Sequence, residues 1–141
     1  MDQTTVLKEP LTRDMIDAGA RLVAKLEQGG TPLDMAYWIF SDEPNRWDFY
    51  VVSPEWDGPG YESISGKLSD AIRQLDEFDS HLLLWAGVTG PRNRAVQALQ
   101  FAAAKAPNRK TVRITRWAPQ DIWIEDALVY RTTQPALSTQ S

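Results

Sequence analysis

Three carboxylates lie close enough in the chain to suggest metal chemistry: Asp48, Glu55 and Asp57, the last two flanking Trp56 in the loop at residues 54–58. Hard divalent cations such as magnesium take oxygen ligands, so acids gathered at the end of a strand are what a small carboxylate- and metal-dependent enzyme would need. A solvated turn rich in Asp, Glu, Pro and Gly has the same composition. Glu125 and Asp126 raise a related question, because one of them must share a strand face with Ile122, Ile124 and Leu128. Asp126 reads as a structural buried acid, with Arg113 or Arg116 as its partner across a hairpin in which Ile114 would face it.

Other chemistry is weaker or excluded. Neither Asp48 nor the Glu125-Asp126 pair has a lysine two positions on, which argues against a restriction-type nuclease core. Residues 60–67 carry Gly60, Gly66 and Lys67, but the glycines are separated by five residues and Leu68 stands where a phosphate loop needs Ser or Thr. His81 is the single histidine and has no Ser, Cys or acid at a telling spacing. The chain has no cysteine, so disulfides, thiolate nucleophiles and cysteine-ligated metal centres are ruled out. No catalytic residue and no cofactor are expected from these patterns.

Charge gives a second line of evidence. Met1 to Val88 holds 7 Lys/Arg against 16 Asp/Glu, and Thr89 to Ser141 holds 8 against 3, which leaves the halves near −9 and +5. Such a dipolar chain suggests a basic face on an acidic body and an anionic or acidic partner. Arg92, Asn93 and Arg94 lie where a strand should hand over to a helix, the place at which free backbone N–H groups and the helix dipole hold anions. Two arginines in a first helical turn oppose that dipole, a conflict that a bound phosphate would relieve and that exposure to water would also make small. Arg109, Lys110, Arg113 and Arg116 extend the positive character towards Trp117 and Trp123, a mixture suited to nucleic acid through phosphate neutralisation and base stacking. The sequence pI of about 4.9 argues against a dedicated nucleic-acid-binding domain.

Six tryptophans in 141 residues are the third feature. Tryptophan is enriched at binding hot spots because it buries a large area and keeps one polar handle. Trp85 lies inside an apolar run and is expected in the core. Trp56, Trp117 and Trp123 are the interface candidates, Trp56 because nothing periodic asks for its burial.

The elements that must position these residues follow from periodicity. Thr12 caps a helix whose apolar positions Met15, Ile16, Gly19, Leu22, Val23 and Leu26 recur at three and four, ending at Gly29-Gly30. Residues 33–40 and 47–53 form a hairpin with a loop of about six residues. Tyr61, Ile64, Leu68, Ile72, Leu75 and Phe78 trace a second helix, and residues 81–88 read as a strand covered on both faces. Pro91 opens a third helix running to about Ala106. Strands at 111–117 and 122–131 close the chain around the turn at 118–121.

The order α-β-β-α-β-α-β-β predicts one α/β (α+β) domain over residues 11–131, a mixed five-stranded sheet with about three helices. An N-terminal arm at 1–10 and a flexible tail at 132–141 flank it. Residues 46–54 and 124–131 resemble strand segments of a group of small bacterial proteins that brings no activity, cofactor or catalytic residue. That resemblance implies a bacterial, cytoplasmic setting, and no window of the sequence approaches the roughly 18 apolar residues of a membrane span. The expected function is a non-catalytic protein-binding or regulatory module of a larger assembly or a homo-oligomer. Nucleic-acid or nucleotide binding is the alternative, and the carboxylate enzyme stands third.

Overall fold

The computed structural model describes residues 7–132, so residues 133–141 of the expected tail and the first six residues of the arm lie outside the described residues. The chain folds as α1 (Arg13–Gln28), β1 (Met35–Ser41), β2 (Arg46–Val52), α2 (Tyr61–Arg73), α3 (Glu77–Leu82), β3 (Ala86–Thr89), α4 (Arg94–Ala103), β4 (Thr111–Trp117) and β5 (Ile124–Arg131). Short 3-10 turns occupy Pro54–Asp57 and Pro119–Asp121. The five strands form one mixed sheet in the order β3-β2-β1-β5-β4. Only β2 and β3 are parallel, and the helices between them supply the crossover that a parallel pair requires.

Strand alternation divides the core between the two faces of the sheet. One face carries Trp47, Phe49 and Val51 of β2, Ala36, Trp38 and Phe40 of β1, and Leu128 and Tyr130 of β5, packed with α1, α2 and α3 residues. The other carries Met35, Tyr37, Val52, Ile114, Ala127 and Val129 with Val96, Leu99, Ala102 and Ala103 of α4. Helix α1 is fixed by a Thr12 capping box in which Met15 takes the place of the usual acid. Gly19 lets α1 lie almost on the strands: a Cβ there would come 2.6 Å from the Tyr130 hydroxyl and 2.9 Å from Trp38 Nε1. That hydroxyl accepts from Trp38 Nε1 at 3.0 Å and donates to the Ile16 carbonyl at 2.7 Å, tying helix and sheet through a buried network.

Three expectations change. The stripe from Tyr61 to Phe78 breaks at Gln74, where Asp76 caps a separate helix α3, so there are four α-helices among the described residues and Phe78 is exposed. The run at 81–88 is divided between the end of α3, a turn, and a four-residue strand on the edge of the sheet instead of a strand covered on both faces. Helix α4 begins at Arg94 and not at Pro91, because the Asn93 side chain accepts from the N–H groups of Ala95 and Val96 and sets the cap there.

Candidate functional site

The sheet has two rims. At the upper rim the parallel strands β2 and β3 end, the position at which α/β sheets often bind ligands. Ser53 is fully buried there; its Oγ accepts from the Glu55 N–H at 3.2 Å and its N–H donates to the Thr89 carbonyl at 3.0 Å. Asp57 lies against Gly90, where a Cβ would meet its carboxylate at 2.4 Å, and accepts the Arg92 N–H at 3.1 Å. With Asn93 taking the first N–H groups of α4, the chain's own side chains fill the anion position expected at this turn. Trp56 is half-buried and packs edge-on against Tyr61 at 5.8 Å. Glu55 Oε1 is the buried side-chain oxygen left without a partner among the described residues.

The three acids considered for a metal are not gathered. Asp48 lies near the start of β2, where it accepts from Arg46 at 2.8 Å, and Glu55 follows the end of that strand. The extended chain from Asp48 to Ser53 alone spans about 16 Å, so Asp48 is far from the turn that carries Glu55 and Asp57. No group of three or more potential ligands comes together among the described residues.

The basic residues are dispersed as well. Arg92 and Arg94 precede and open α4, whereas Arg109 and Lys110 follow its far end. Ten helical residues, roughly 15 Å, separate the two pairs. Arg116 lies at the opposite end of β4. Arg113 turns to the α1 face, where its Nε and Nη2 donate to Asp126 at 2.6 and 2.8 Å. Asp126 is 2% exposed and also receives the Lys8 ammonium. Burial alone would push this carboxyl up, but hydrogen bonds and charge from Arg113 and Lys8 outweigh it and hold the group below its ordinary value. The register places Thr115, not Ile114, opposite Asp126; Ile114 faces Ala127, so Arg113 reaches the acid diagonally.

The lower rim, where β3 and β5 begin and β4 ends, is built differently. Trp85, Trp117 and Trp123 are 56%, 40% and 59% exposed, and the topology brings all three to this rim. Trp117 and Trp123 lie together where β4 meets β5, and Trp85 precedes β3 under the Arg46 guanidinium, 4.0 Å from the ring centroid. Leu84 beside it is 63% exposed. The four non-glycine residues with positive φ among the described residues all lie at this rim, Asn45, Gln120 and Asp121 in its loops and Arg116 near the end of β4. Left-handed backbone costs about 1–2 kcal/mol per non-glycine residue and concentrates at functional sites.

The backbone of Leu7 and Glu9 is held at this rim. Asn45 accepts the Glu9 N–H and donates to the Leu7 carbonyl, each at 3.0 Å, and Trp47 Nε1 donates to the Glu9 carbonyl at 2.8 Å. Sequence reasoning placed Trp117 and Trp123 among the interface candidates, missed Trp85 and gave Lys8 and Asn45 no role. The signal available for Trp85 was that residues 81–88 contain His81 and Gly87 and follow a helix without a breaker, so the apolar run did not have to be one strand.

No family model, curated protein or solved structure matches the chain. The resemblance of the two strand segments therefore assigns nothing further. No helix among the described residues is long and apolar enough to cross a membrane.

Proposed function

We propose that this protein is a non-catalytic protein-binding or regulatory module whose docking surface is the lower rim. The observation that carries the reading is that Trp85, Trp117 and Trp123, each at least 40% exposed, all border the same end of the sheet. Four strand spacings separate the β3 and β4 ends of that rim, roughly 19 Å, a span that a patch of the ~800 Å² one partner covers in a standard interface can bridge. Large rigid aromatics beside an arginine are the residue types that carry most binding energy when a partner excludes water from them. Dispersal of the basic residues removes the continuous phosphate track that nucleic-acid binding would use, so that alternative loses its main support.

The test compares proteins co-purified from the native host with wild type and with a Trp85→Ala/Trp123→Ala variant. A specific partner that is retained by wild type and by a Trp56→Ala control but lost by the rim variant is the expected result. Equal retention by all three proteins removes the rim from the function.

A further inference from the structure

The contacts of residues 7–9 have the form of peptide recognition. Asn45 uses both ends of its carboxamide on the backbone to either side of Lys8, donating to Leu7 and accepting from Glu9, and Trp47 adds a third bond to the Glu9 carbonyl. All three bonds go to main-chain atoms, so they would hold any extended segment. Selectivity comes from the pocket between them. The Lys8 ammonium lies 4.9 Å from the Phe40 ring centroid and 5.7 Å from that of Trp47, and it reaches the buried carboxylate of Asp126. Two aromatic walls and an acid are the chemistry that recognises an organic ammonium. Arg113 already grips both carboxylate oxygens with its planar fork, which leaves room for the point charge of a lysine and not for a second guanidinium.

What fills this groove is held lightly. Leu7 is 79% exposed, the Lys8 side chain is 42% exposed, and residues 7–12 belong to no helix or strand. Segments with few buried contacts open at small cost. Asn45 itself has φ 63°, a left-handed backbone tolerated by asparagine and common at ligand clamps.

We propose that Phe40, Asn45, Trp47 and Asp126 form a binding groove for an extended, lysine-bearing peptide segment of a partner protein, and that the chain's own residues 7–9 occupy it in cis. The segment then acts as an intrasteric plug: a partner's lysine enters when Leu7, Lys8 and Glu9 leave. This groove uses other contacts than the tryptophan rim, so a failure of either experiment leaves the other result readable.

The experiment titrates a fluorescein-labelled peptide with the sequence of residues 5–11 (TVLKEPL) into the full chain and follows fluorescence anisotropy. A tethered competitor acts at an effective concentration on the order of millimolar, so Lys8→Ala should bind the peptide at least about tenfold more tightly than wild type. Replacing the peptide's lysine by alanine should abolish that binding, and adding Asn45→Ala to the Lys8→Ala chain should weaken it about tenfold. Asp126 stays paired with Arg113 in both variants, and a cooperative melt confirms that each is folded. The proposal is overturned if folded Lys8→Ala does not bind, if it binds the lysine and alanine peptides alike, or if wild type binds as tightly as the variant.

Discussion

The two rims of one sheet are built differently. At the upper rim Asn93 caps α4, Asp57 takes the Arg92 N–H and fills the space beside Gly90, and Trp56 rests on Tyr61, so side chains that looked available in the sequence are consumed locally. At the lower rim Trp85, Trp117 and Trp123 remain exposed and four non-glycine residues hold positive φ. The contrast teaches that a helix start at the end of a parallel pair is an anion site only while its N–H groups are unfilled. Under the function proposed above, stability is invested at one end of this molecule and interaction at the other.

The sharpest challenge to that division is Asp126, a buried acid that belongs to the lower half of the sheet yet serves stability. Asp126→Asn leaves Arg113 and Lys8 without their counter-charge, and chemical denaturation at neutral pH should show a loss of about 2–3 kcal/mol. The folded carboxyl titrates below its ordinary value of 3.8, so its contribution is complete above that pH and disappears as pH falls through the lowered folded value. The gap between wild type and variant should therefore close in strong acid. A gap that is constant with pH would show that packing, and not charge, holds Asp126 in place.

Substitutions at the upper rim should cost stability without affecting binding. Loss of the α4 cap in Asn93→Ala is worth about 1 kcal/mol, and Asp57→Ala removes a further hydrogen bond of about the same size or less. Thermal melts of the single and double variants measure this, and a variant that loses partner binding while melting like wild type would reverse the division proposed here. The smallest effect has the opposite sign. Gln120 has φ 54°, so Gln120→Gly should relieve strain and raise stability by up to about 1 kcal/mol, after the entropy that glycine adds to the unfolded chain. A destabilised Gln120→Gly would mean that the loop backbone is not strained and that the lower rim has lost one of its two distinguishing marks.

Much of the architecture was legible because period and punctuation are local. Thr12 followed by apolar residues at three and four places α1, and the aromatic and branched runs on either side of residues 41–46 place the β1–β2 hairpin. Trp85 was misplaced because a continuous apolar run looks the same whether it enters a core or divides among a helix end, a turn and an edge strand. The lysine groove left still less trace, since Lys8, Asn45, Trp47 and Asp126 are scattered along the chain and become neighbours only through strand order.

By itself the sequence determined the kinds and approximate extents of most elements, the α/β class, and the absence of thiol chemistry, because each depends on side-chain type at short spacing. Tertiary structure alone decided which tryptophans face water, that Arg113 answers Asp126 across one register position, and that the basic residues disperse around α4 and β4. Those outcomes depend on which strands become neighbours, and hydrophobic burial, which drives the choice, has no direction that a local pattern can record.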